Sequence, residues 1–63
     1  MARYAKTCTD DDYYDLYIAI RDDLDARGYG VTSGEYGAGV LDIGTELPLP
    51  QAVMDLWGLT EVP

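Results

Sequence analysis

TDDDYYDLYIAIRDDLDARG, residues 9–28, decides the fold. Start, period and stop together predict one amphipathic helix over about 10–27. Thr9 has the side chain of an N-cap, and Asp12 three residues on completes a pattern like a capping box. Asp10, Asp11 and Asp12 then fall in the first turn, where the positive end of the helix dipole favours carboxylates. Arg27 closes the last turn and Gly28 suits the position just beyond it. Tyr13, Leu16, Tyr17, Ile20 and Leu24 recur at helical spacing and share one face. The opposite face carries Asp11, Asp15, Asp22 and Asp25, with Tyr14 and Ile18 set among them. Asp12 and Asp23 lie on one flank. Arg21 lies on the other, four residues before Asp25, where an ion pair contributes about 0.3–0.5 kcal/mol.

Outward from this helix, residues 2–7 (ARYAKT) alternate and predict a short half-buried strand. Ala2, Tyr4 and Cys8 face one way, Arg3 and Thr7 the other, and Arg3 and Lys6 are expected to rest against the acidic helix. Past the helix, residues 28–44 hold every one of the seven glycines except Gly58. The simplest reading is a hairpin over about 29–43. Its first strand is 29–32, its turn Ser33-Gly34-Glu35, and its second strand 36–43, with Gly37 and Gly39 weakening that strand or marking a bulge. Thr45 to Pro50 reads as a turn or an extended link. Pro50 opens a second helix, about 50–57, in which Ala52, Val53, Leu56 and Trp57 form the apolar set. Gly58 ends it, Leu59 folds back, and residues 60–63 form a loose tail. The expected class is therefore a small α+β fold in a single domain, 1–63.

Composition narrows the function. Twelve acidic and four basic residues give a formal net charge of −8 in 63 residues. No basic patch is available to displace counterions from nucleic acid, so direct nucleic-acid binding is not expected, nor is an anionic membrane. With 48% hydrophobic residues, six Tyr and one Trp, the chain is expected to fold rather than stay disordered. Cys8 is the only cysteine, which fits a reducing compartment, and its simplest role is a small hydrophobe at a strand end. No signal-peptide core or membrane span is evident, so the expected location is cytoplasmic, or the host cytoplasm for a phage-encoded chain.

No reaction chemistry stands out. Histidine is absent and Ser33 is the only serine, which excludes a nucleophile activated by a His base. An EF-type loop begun at Asp23 puts Asp25 third and Gly28 sixth, but Arg27 fifth and Gly34 twelfth, so no calcium site is expected. The glycine pairs lack the spacing of a dinucleotide fingerprint and no Gly-Lys-Ser/Thr segment exists. The expectation is no catalytic residues, no metal and no cofactor. Tyr13, Tyr17 and Trp57 are expected in the core, while Tyr14, Ile18, Tyr29 and Tyr36 are harder to place inside.

The acidic helix face then has two readings, a solvated surface or a surface for a basic groove. In a helix Asp11 and Asp15 rise about 6 Å apart, and Asp15 and Asp22 about 10 Å. Phosphates along an extended nucleic-acid strand fall at comparable intervals. Carboxylates so placed can pair with Lys and Arg of a nucleic-acid channel, and Tyr14 and Ile18 add contact area that charge alone lacks. In length, net charge, lack of catalytic residues, and the segments DDDYYD (10–15) and RDDLD (21–25), the chain resembles small acidic inhibitor proteins of phages and mobile elements. These include anti-CRISPR and anti-restriction proteins that mimic DNA. The resemblance implies an inhibitor that blocks DNA access to a CRISPR effector or similar nuclease complex. It assigns partner binding to Asp11, Asp15, Asp22 and Asp25, with Asp10, Asp12 and Asp23 supporting. The alternative is an acidic adaptor or subunit that docks through exposed aromatics. A monomer or a homodimer is compatible with either.

Overall fold

The computed structural model describes residues 2–63. The alternating N-terminal segment forms strand β1, Ala2–Thr7, and turns Tyr4 inward until it is 1% exposed. Helix α1, Tyr13–Ala26, follows, and then a hairpin of β2, Val31–Gly37, and β3, Val40–Thr45. Helix α2, Gln51–Trp57, leads to a two-residue strand β4, Thr60–Glu61. The sheet is antiparallel with strand order β2-β3-β1-β4. Because β1 and β2 are both antiparallel to β3, they run parallel to each other and are joined through α1. By the same logic β3 and β4 run parallel, joined through α2, with β1 between them. Two split β-α-β units thus interlock, which is the ferredoxin-like connectivity. This is an α+β fold, as the sequence predicts.

The pleat explains the two layers. Tyr4, Leu41 and Ile43 stand on the inner sheet face and pack with Ile20 and Leu24 of α1 and Val53 and Met54 of α2. Alternation sends Arg3, Ser33, Glu35 and Asp42 to the outer face, which has no helix over it. The link after β3 is held by polar groups that burial would otherwise leave unpaired. The Leu49 N–H donates to the Tyr4 hydroxyl at 2.8 Å, and the buried Thr45 hydroxyl donates to the Leu47 carbonyl at 2.7 Å.

Several expectations require correction. Residues 60–63 are not simply a loose tail, since Thr60 and Glu61 pair with Ala5 and Tyr4. A two-residue pairing is too short to leave a periodic signal. Ser33, Gly34 and Glu35 lie inside β2, and the turn is Ala38–Gly39, both at positive φ (52° and 77°). That pair of angles matches the twist of a two-residue hairpin. The irregularity lies between Val31 and Ser33, not at Gly37 or Gly39. Helix α1 begins at Tyr13, three residues later than expected. Asp12 is its N-cap without a side-chain cap bond, so Asp10 and Asp11 precede the helix. Thr9 does start the turn, because its carbonyl accepts the N–H groups of Asp12 and Tyr13.

The cations also sit elsewhere than expected. Among the described residues the ion pairs are Arg21–Asp22 and Arg27–Asp23, both within α1 and its end. Arg21 therefore does not pair with Asp25, and Arg3 and Lys6 do not pair with the helix carboxylates. Lys6 instead brings its ammonium close to Gly58, at the C-terminal end of α2, where unpaired carbonyls attract a cation. Tyr17 and Trp57 are half-buried at the margin of the core, Tyr13 is half-buried against Tyr36, and the fully buried aromatic is Tyr4.

Candidate acidic and aromatic binding surface

The seven aspartates from Asp10 to Asp25 divide by what their oxygens touch. Asp10, Asp11 and Asp12 occupy the exposed turn before α1, and Asp15 is the one acid in its first turn. Asp12 accepts from the Thr9 hydroxyl at 3.2 Å, and Asp22 meets Arg21 at 3.4 Å. Asp11 and Asp15 have no ion pair or side-chain hydrogen bond among the described residues. The expected interval from Asp11 to Asp15 assumed that both were helical, so the helix no longer sets it. Asp15 and Asp22 both lie in α1 and keep their rise of about 10 Å.

Asp23 and Asp25 do structural work. Asp23 accepts from the Trp57 indole N–H at 2.8 Å and from Arg27 Nε at 2.9 Å, tying α1 to α2. The indole bond first, and then Arg27, hold its carboxyl below the usual carboxylate range, against a smaller opposing effect of burial. Asp25 accepts the backbone N–H of Val31 at 2.8 Å and so fixes the entry into β2. Periodicity placed Asp25 on the outer face, and it is exposed, but one of its oxygens is already committed. This bond spans the loop beyond the helix, which a helical projection does not contain.

The aromatic side chains gather in a way that spacing along the chain does not show. Tyr36 of β2 stacks on Tyr13 of α1, with ring centroids 4.2 Å apart and planes at 14°. Tyr14 meets Tyr13 edge-on, at 6.5 Å and 78°. The Tyr17 ring lies directly on Gly34, where any Cβ would collide with it. On Tyr17 rests the Arg21 guanidinium, 5.8 Å from the ring centroid. Beside them is a hollow of about 160 Å³, lined by Tyr13, Tyr14, Tyr17, Gly34, Glu35, Tyr36 and Leu41, with the pleat turning the Glu35 side chain to the other face of the sheet. The Tyr36 hydroxyl donates to the Cys8 carbonyl at 3.1 Å. Partial burial pushes the Tyr36 phenol above its usual pKa, and the nearby Asp10 carboxylate adds to this.

Of the residues expected to bind a partner, the structure leaves Asp10, Asp11, Asp12, Tyr14, Asp15 and Asp22 exposed and Ile18 half-buried. It joins Tyr14 to a tyrosine group that sequence reasoning had assigned partly to the core. The one available signal was Gly34, a glycine two residues before Tyr36 in a strand, which marks a close approach.

Among the described residues no three His, Cys, Asp or Glu side chains are placed to hold a metal ion, and no helix is long and apolar enough to cross a membrane. No protein-family model matches the chain. No curated protein and no solved structure matches it either. The connectivity is one that hosts many unrelated activities, so function has to be argued from this surface alone.

Proposed function

We propose that the protein is a non-enzymatic inhibitor whose acidic surface occupies a basic nucleic-acid-binding surface of another protein. In that role it blocks DNA access to a CRISPR effector or a similar nuclease complex. One observation carries the reading. Asp10, Asp11, Asp12, Asp15 and Asp22 are all exposed in the turn before α1 and along the helix, and among the described residues Arg21 is the only cation paired with any of them. Asp11 and Asp15, with no ion pair or side-chain hydrogen bond among the described residues, are free to exchange water for Lys and Arg of a basic groove. Tyr14, 63% exposed beside Asp15, supplies contact area that pure charge attraction lacks. Asp23 and Asp25 take a secondary part, because one oxygen of each already holds structural donors, Trp57 and Arg27 on Asp23 and the Val31 N–H on Asp25.

The test is binding to a candidate effector over a salt series, with and without Asp15→Asn plus Asp22→Asn. The reading expects affinity to fall several-fold as salt rises, and the double variant to weaken binding and flatten that dependence. Affinity indifferent to both salt and the two substitutions would end it. The adaptor reading has its own support in Tyr14 and Leu56, 63% and 60% exposed. On that reading Tyr14→Ala abolishes binding and the charge changes matter little.

A further inference from the structure

Four of the six tyrosines surround one hollow, and Asp10 lies beside one of them, Tyr36. Resting on the reading above, we infer that this hollow seats a single arginine side chain presented by the basic partner.

Its chemistry favours a cation. Tyr13, Tyr14, Tyr17 and Tyr36 all line it, and a cation is attracted to an aromatic face within about 6 Å of its centre. Asp10 sits by Tyr36, and among the described residues no lysine or arginine lines the hollow. The fold itself already places one guanidinium on this aromatic group, Arg21 over Tyr17 at 5.8 Å.

Its size favours one side chain. At about 160 Å³ it lies below the roughly 300–1,000 Å³ of ordinary small-molecule pockets. Arginine fits better than lysine because a planar, weakly hydrated guanidinium stacks on aromatic rings, whereas a compact ammonium holds its water more strongly. The position suits a partner segment, since the hollow runs along β2, an edge strand of the sheet. A second copy is a poor occupant, because it would bring a further net charge of −8 against the same acids. The occupant is therefore an arginine of a basic protein.

The experiment titrates the intact chain with two capped peptides, hexa-arginine and hexa-lysine, at equal salt. Affinities come from calorimetry and the site from amide and tyrosine ring NMR shifts. Hexa-arginine is expected to bind about 5-fold or more tightly than hexa-lysine. The largest shifts are expected at Tyr14, Gly34 and Tyr36. Tyr14→Ala, at an exposed position that the fold does not need, should remove the preference. Tyr36→Phe, which keeps the ring, should preserve the preference. Asp15→Asn should weaken both peptides alike. Equal affinities, or a preference that survives Tyr14→Ala, would overturn the arginine seat and leave the acidic surface standing. Binding of neither peptide at about 50 mM salt, where exposed charges still act over more than 10 Å, would overturn both.

Discussion

The segments DDDYYD (10–15) and RDDLD (21–25) look alike as sequence and behave differently in the fold. In the first, Asp10, Asp11 and Asp12 sit in a turn and Asp15 on the opening of α1, all exposed. In the second, Asp23 holds Trp57 and Arg27, and Asp25 holds the Val31 N–H. The second segment fastens α1 to α2 and to β2. The first leaves its charge on the surface, next to the tyrosine hollow. A count of carboxylates therefore overstates the charge available to a partner, and what matters is which oxygens lack an internal donor.

The sharpest way to break this contrast is to cut under each segment. Leu24, fully buried between Asp23 and Asp25, should cost about 2–5 kcal/mol on change to alanine. A chain of this length is expected to have only about 3–9 kcal/mol in total, so thermal melts followed by circular dichroism should show most of the fold lost. Tyr14→Ala, in the exposed segment, should stay within about 0.5 kcal/mol. Comparable losses for the two would erase the distinction.

Next in size is Gly34→Ala. Its Cβ would meet the Tyr17 ring, so the ring must move, at a cost of about 1–3 kcal/mol. The displaced ring should also leave the Arg21 guanidinium, visible as changed Tyr17 ring shifts. A smaller effect separates Asp25 from Asp15. Asp25→Ala should cost about 0.5–1.5 kcal/mol and speed exchange of the Val31 amide proton, because that N–H loses its acceptor. Asp15→Ala should leave that proton unchanged.

Acid should reveal the smallest difference. The Asp23 carboxyl is held below its ordinary value by Trp57 and Arg27, so the folded state prefers it ionised. The stability it adds is fully present above the unfolded value, near 3.8, and is lost as pH falls through the lower folded value. Unfolding followed by Trp57 fluorescence from neutral pH downward should therefore show a steeper acid loss in the native chain than in Asp23→Asn. Parallel curves would mean that the indole bond contributes nothing.

The fold was legible wherever its cause was local. Apolar spacing in Tyr13, Leu16, Tyr17, Ile20 and Leu24 announced α1, alternation announced β1, and Pro50 with Gly58 bracketed α2. The hairpin was legible as a pair of strands, but its turn was misplaced, since Ser33-Gly34-Glu35 has turn chemistry as good as that of Ala38–Gly39. Strand β4 has two residues and exists only because β1 offers it an edge.

By itself the sequence determined the class of fold, the main helix, the strong negative charge and the lack of a histidine-based nucleophile, because composition and periodicity are properties of short windows. Only the tertiary structure decided that Asp23 would serve Trp57, 34 residues away, and that Tyr36 would stack on Tyr13. Those contacts depend on how two split β-α-β units close on each other, and no local pattern of residues encodes where a distant donor or ring will arrive.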